Sequence, residues 1–148
     1  MTLEEKIVQQ LEDNGIAYEI HEHEPVYTNP TMAEALGVTE AETVKSLVLS
    51  TKEKTLVVMV MPGNKKVDWK AAAKTAGTKK VTFAKPDVVS GAVGCEVGCV
   101  PPFGHMSDLP VFVDSDLLRQ KDVYFNPGVH HKSFKVASRD LKKLCQTR

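Results

Sequence analysis

The 148-residue sequence predicts one α+β domain, a mixed, largely antiparallel and partly barrel-like sheet with flanking helices. Three observations predict it. Short runs of β-branched and aliphatic residues recur along the chain, as strands require. Segments with helical spacing and capping residues fall between them in the order helix, strand, helix, strand, strand, helix, strand, loop, strand, short helix, strand, strand, helix, which is not regular βαβ alternation. A hydrophobic content of 42% suffices to bury one substantial core, and no internal repeat, linker or second domain is visible.

Taken in order, Thr2, Leu3, Glu4 and Glu5 read as a capping box, and Leu3, Ile7, Val8 and Leu11 recur at helical spacing until Asn14 and Gly15, which predicts a helix over 3–13. Residues 17–21 alternate like a short strand and Pro25 ends it. Thr31 as N-cap, Glu34 as its capping-box partner and Gly37 as terminator predict a second helix. The apolar runs 44–49 and 56–61, joined by a polar turn over 51–54, predict a hairpin with Lys45 at the start of its first strand. Asp68 is placed to cap a helix over 69–76 that closes at Gly77. A strand over 80–83 follows, then Pro86 opens a short helical turn through Val89 that delivers the chain into a glycine-rich loop. Beyond the loop come a strand over 109–113, a short helix capped by Asp114 or Ser115, and a strand over 122–125. A turn at Asn126, Pro127 and Gly128, a strand over 134–137 and a helix over 139–145 capped by Ser138 complete the chain.

Lys plus Arg and Asp plus Glu both total 19, so the formal charge is zero and bulk electrostatics attract no nucleic acid. Any RNA contact must be local. Lys65, Lys66, Lys70, Lys74, Lys79 and Lys80 cluster in sequence, either as a solvated helix surface or as a basic face beside a site. Three cysteines and an acidic helical start in place of a secretory leader point to a reducing cytoplasm. The longest apolar run, 56–61, is too short to cross a bilayer, so no membrane partner is expected.

Residues 93–105 hold three glycines and two prolines interleaved with apolar residues, the composition of a fixed loop that can aim backbone N–H groups at small polar atoms. Gly98 to Pro102 within it forms a Gly-x-x-x-Pro element. Lys45 can lay its stem along an apolar wall and hold its ammonium in a cleft, or simply snorkel to solvent. Cys95, Cys99, His105, His130 and His131 allow a zinc or a Cys/His nucleophile reading, against which stand the unusual spacing and the default of inert buried cysteines. His21 and His23 have no further ligand close in sequence. Glu96 could orient a water. Trp69, the single tryptophan, is read as packing its helix onto the sheet, with stacking on a base as the alternative.

Three pieces together carry a resemblance: Thr43-Val44-Lys45-Ser46-Leu47-Val48-Leu49, the Gly98 to Pro102 loop, and Tyr124-Phe125-Asn126-Pro127-Gly128-Val129-His130-His131-Lys132-Ser133. In their order and spacing the chain resembles the YbaK/ProX family of aminoacyl-tRNA deacylases, related to the editing domain inserted in bacterial prolyl-tRNA synthetases. The likeness runs from about Leu3 to Leu144. It implies a single editing domain acting as a free-standing hydrolase on mischarged aminoacyl-tRNA. The implied substrate is tRNA(Pro) bearing Ala, Cys, Ser or Thr, and a non-catalytic module binding tRNA ends or a synthetase is the alternative. Lys45 falls on the family's lysine required for deacylation, and Gly98 on the loop that positions the ester. Met32, Ser46, Gly94, Cys99, Val100, Pro101, Pro102, Phe103, Gly104, Asn126, Gly128 and His130 fall on or beside the segments that shape the pocket. The resemblance implies no metal or other cofactor and no side-chain nucleophile. Its partners are the 3′ CCA end of aminoacyl-tRNA and, as a second candidate, prolyl-tRNA synthetase, with no DNA.

Overall fold

In the computed structural model the residues described are 2–93 and 109–144. Helix α1 (Leu3–Asp13) leads into strand β1 (Tyr18–Glu22), then helix α2 (Asn29–Leu36), the hairpin β2 (Val44–Thr51) and β3 (Leu56–Pro62), and helix α3 (Trp69–Ala76). Strand β4 (Val81–Phe83), helix α4 (Pro86–Val93), strands β5 (Val111–Val113), β6 (Asp122–Phe125) and β7 (Lys132–Ala137), and the single turn α5 (Leu141–Leu144) follow.

The strands form two sheets that bear out the mixed, largely antiparallel expectation. One is antiparallel in the order β1-β7-β6; the other runs β4-β2-β3-β5, with β5 parallel to β3. A parallel bridge between Thr43 and Tyr124 joins them. The sheets face each other across the main core, where Val44, Val48, Val58, Val60 and Val111 meet Phe125, Phe134 and Val136, and Ile7 and Leu11 of α1 close one side. The period of two along β2 sends Leu47 and Leu49 to the opposite face, where Ala73 of α3 covers them together with Val57 and Val81. Full burial of Leu49 is worth about 2 kcal/mol against leaving it in water.

Helix α3 follows the sequence reading closely. The Asp68 side chain accepts from the Ala71 N–H at 3.0 Å, and Gly77 ends the helix in the left-handed region at φ 73°. Other termini differ. Helix α2 begins three residues earlier than expected because Thr28, not Thr31, is its N-cap. The Thr28 hydroxyl accepts from the Thr31 N–H at 3.2 Å, and Pro30 fits the first turn, where its missing N–H costs nothing. Helix α4 runs on to Val93 rather than stopping at Val89. The 3-10 turn Leu117–Arg119 has Asp116 at its N-cap position, while Asp114 Oδ1 accepts the Asp116 N–H at 2.8 Å. Ser138 lies inside another 3-10 turn, Ser138–Asp140, and donates its hydroxyl to the Gln120 carbonyl instead of capping a helix. Pro110, without an N–H, delays the start of β5 to Val111 but lends its carbonyl to Val58.

Candidate functional site

The inter-sheet bridge organises one corner of the molecule. Thr43 lies immediately before β2 and Tyr124 lies in β6, and both chains run in the same direction from the bridge. Lys45 and Asn126, each two residues beyond it, are thereby brought to the same corner. Thr43 is fully buried and heavily engaged: its Oγ1 donates to the Glu40 carbonyl at 2.7 Å and accepts from Asn29 Nδ2 at 3.0 Å. The Thr43 carbonyl takes the Gly63 N–H at 2.9 Å. Gly63 has no room for a side chain, since a Cβ there would lie 2.1 Å from Thr43 Oγ1 and 2.7 Å from Asn29 Nδ2. This knot ties α2, the start of β2 and the end of β3 together. Composition and spacing gave no sign of it.

Lys45 projects from the face of β2 that carries Leu47 and Leu49, with its stem half-buried, and its Nζ donates to the Lys65 carbonyl. Burial pushes its pKa below the ordinary lysine value, an effect partly opposed by the negative charge of Glu40. No carboxylate among the described residues forms an ion pair with it. An ammonium has three N–H groups, and one is used. What remains is a partly desolvated cation with donors to spare, suited to a phosphate or a developing oxyanion.

Lys65 has the opposite character. Its Nζ bonds Asp114 Oδ2 at 2.6 Å and Asp116 Oδ2 at 3.1 Å, and those bonds hold its pKa above the ordinary value. The same contact holds the Asp116 carboxyl below its ordinary range. Lys65 therefore leaves the set of solvated lysines to which its sequence neighbours assigned it. Its backbone is the part turned toward Lys45, and the paired side chain anchors that backbone. A cleft of about 340 Å³ opens beside Lys65, Asp116 and Arg119.

Several other expected site residues gather around a small apolar cluster of Val26, Met32 and Tyr124. Met32 is buried there, on α2. Val26 and His130 are zipped by two bonds: the Val26 N–H donates to the His130 carbonyl at 3.0 Å, and His130 Nδ1 donates to the Val26 carbonyl at 3.0 Å. The His130 ring packs on Tyr27 with centroids 4.4 Å apart. Asn126 is buried, with its Oδ1 3.5 Å from Ser133 Oγ. Ser46 faces the main core beside Val44 and Val48, away from Lys45, with a buried hydroxyl that has no partner among the described residues. Gly128 abuts α1. Its φ of 90° needs glycine, and a Cβ there would meet Leu3 Cδ2 of α1 at 2.8 Å.

His23 and Ser133 resemble a base and nucleophile pair, with Nε2 and Oγ 2.8 Å apart. His23 Nδ1 lies 2.8 Å from the Glu24 carbonyl, which can only accept, so Nδ1 carries the proton and Nε2 receives the serine hydroxyl. Ser133, however, is completely buried, so no ester can reach it and the pair pins β1 to β7. His21 points instead to Glu19 at 3.3 Å. No group of three His, Cys, Asp or Glu side chains converges as a metal site among the described residues. No described helix is long and apolar enough to cross a membrane. Gly94, Gly98, Cys99, Val100, Pro101, Pro102, Phe103 and Gly104, with Cys95, Glu96 and His105, lie outside the described residues.

Residues 23–144 match the family model of the aminoacyl-tRNA editing domain. The chain is similar to the prolyl-tRNA editing protein ProX of Acetoanaerobium sticklandii, 27% identical over 150 residues that span 97% of this chain and 91% of that protein. It is similar also to EbsC of Enterococcus faecalis, described as a candidate Cys-tRNA(Pro)/Cys-tRNA(Cys) deacylase, at 24% identity over 93% of this chain and 85% of that protein. Among solved structures, a candidate trans-editing enzyme for prolyl tRNA synthetase superposes with a TM-score of 0.86 at 25% identity, covering 100% of this chain and 94% of that one.

Proposed function

The chain belongs to the aminoacyl-tRNA editing domain family, and we propose that it deacylates tRNA(Pro) carrying a smaller amino acid, with Lys45 as the cation that holds the reacting end. Editing of this kind is hydrolysis of an ester. Water oxygen bonds to the aminoacyl carbonyl carbon, a tetrahedral oxyanion forms, the bond to the ribose oxygen breaks and that oxygen takes a proton, leaving free amino acid and tRNA. The activated ester needs a held water and donors for the oxyanion rather than a covalent nucleophile. The Lys45 ammonium supplies charge to the 3′-terminal adenosine, at its phosphate or at the oxyanion, and backbone N–H groups around Gly98 supply the remaining donors. Met32, Asn126 and His130 shape and stiffen the wall behind the amino acid. Ala, Cys, Ser and Thr are the candidate cargoes. A second sieve is useful for small residues because a synthetase rejects each missing methylene by only about 1 to 3 kcal/mol.

The observation that carries this reading is the half-buried Lys45 ammonium with no carboxylate partner among the described residues and its pKa lowered by burial. Proline's tRNA or synthetase is the theme common to the names of ProX, EbsC and the superposed structure. The test is a deacylation panel of tRNA(Pro) charged with each of the four amino acids, alongside the same amino acids on their own tRNAs. Wild type should release amino acid from tRNA(Pro), and Lys45→Ala should lower kcat/KM by about 100-fold, the usual cost of losing one such donor. Binding of charged tRNA without turnover by the wild type would replace the hydrolase with a recognition module.

A further inference from the structure

A concavity of about 820 Å³ opens between α3 and β4, lined by none of the residues around Lys45. Its floor is aromatic. Trp69 and Phe83 meet edge to face with centroids 4.9 Å apart and planes at 89°, yet they remain 41% and 60% exposed. A tryptophan recruited to pack a helix would be covered; here the indole forms one wall of an open groove. Lys70, Lys74, Lys79 and Lys80 line the same groove. None of the four makes an ion pair with a described carboxylate, in contrast to Lys65 on the preceding loop. The carboxylates flanking the groove are occupied: Asp68 caps α3, and Glu53 accepts the Thr78 hydroxyl at 2.7 Å.

The groove continues the sheet face that bears Lys45. Phe83 pairs with Leu49 across β4 and β2, so both share the face on which Lys45 and Leu47 lie. Lys45 precedes Leu49 by four residues, roughly 13 Å along the strand. Exposed ring faces between unpaired ammonium groups are the composition of a surface for single-stranded nucleic acid, whose bases stack and whose phosphates take the charge. With a net charge of zero on the whole chain, four lysines in one groove, none paired with a described carboxylate, constitute a local anion site that the overall balance conceals.

We propose that the Trp69–Phe83 groove with its four lysines binds the single-stranded RNA of the tRNA acceptor end, stacking an unpaired base on the aromatic pair. This rests on the deacylase reading for the identity of the RNA but not for its chemistry. Discrimination among acylated ends would then have two independent parts, the pocket at Lys45 for the amino acid and the groove for the strand that carries it.

Trp69 reports on the groove directly, because the chain has no other tryptophan. Its emission is followed while uncharged tRNA(Pro), and separately a short single-stranded RNA of the acceptor end, is titrated into full-length protein. Stacking predicts saturable quenching by both. Phe83→Ala should weaken binding about 10-fold, since stacking on one ring is worth about 1 to 3 kcal/mol. Lys74→Glu with Lys80→Glu should lower affinity further and flatten the slope of log K against log salt by about 1.4, two phosphates' worth. Lys45→Ala should still quench, which separates failure of the groove from failure of the active-site reading. Saturable binding of tRNA by a second probe, without change in Trp69 emission or with an unaltered salt slope in the lysine variant, overturns the proposal. Quenching by a duplex stem as strong as by the single strand overturns the stacking geometry.

Discussion

The Lys45 corner and the Trp69–Phe83 groove lie on one face of one sheet and handle their lysines in opposite ways. At the corner every neighbour is committed. Thr43 holds Asn29, Glu40 and Gly63, and Lys65 holds two aspartates and offers only its carbonyl, so the Lys45 ammonium is fixed in place and partly stripped of water. In the groove four lysines have no carboxylate partner among the described residues, and two rings are left in solvent. A reacting centre needs a donor that does not move, and rigidity has been supplied there by buried polar bonds. A surface that grips a flexible strand needs charge and stacking area but tolerates loose side chains. The comparison predicts that the corner fails sharply under single substitutions and the groove only by degrees.

The sharpest break should come from Gly63→Ala. Its methyl would meet Thr43 Oγ1 at 2.1 Å inside a knot that has no spare volume, so a loss of about 3 kcal/mol is expected, read as a lowered denaturant midpoint with unchanged slope. An unaltered midpoint would show that the knot yields easily and does not fix Lys45. Gly128→Ala, strained at φ 90° and pressed on Leu3, should cost about 1 to 2 kcal/mol while leaving kcat near wild type, because that turn faces α1 rather than the corner.

The pH dependence sharpens the contrast. Burial lowers the pKa of Lys45 in the folded chain relative to the unfolded one, so between the two values the unfolded chain binds more protons and this residue makes stability rise with pH. Activity, which uses the ammonium, should fall over the same window. A kcat/KM profile should therefore show an alkaline limb below the ordinary lysine range, lost in Lys45→Arg, which stays charged. A limb at or above the ordinary lysine value would remove burial from the account. Asp114→Asn takes away the shorter of the two Lys65 contacts. It should cost up to about 1 kcal/mol of stability, as half-exposed pairs do, with a larger relative effect on kcat than on KM if the Lys65 backbone positions Lys45. At the small end, Lys79→Ala in the groove should move stability by less than about 0.5 kcal/mol and weaken tRNA binding only a few-fold.

Much of this was legible before folding was considered. Asp68, the alanine-rich run and Gly77 define α3 because a capping bond, a helix and a left-handed terminus are all satisfied within a few residues of chain. The hairpin of β2 and β3 and the position of Lys45 at its start are local in the same sense. The errors were also local, but they turned on competition between neighbours. Thr28 and Thr31 are both good caps, and only the fit of Pro30 in the first turn decides for Thr28. Ser138 spends its hydroxyl proton on the Gln120 carbonyl, 18 residues back along the chain, and not on a local cap.

By itself the sequence determined the kind of elements, their order, the lysine that leads β2 and the family to which those segments belong, since each depends on periodicities and contacts spanning a handful of residues. Tertiary structure alone decided which lysines are paired with described carboxylates and which are not. Lys65 is neutralised by residues 49 and 51 positions away, and Trp69 meets an exposed Phe83 across a sheet edge rather than a closed core. Those outcomes depend on which distant groups the sheets bring within bonding range, and no spacing along the chain encodes a distance through space.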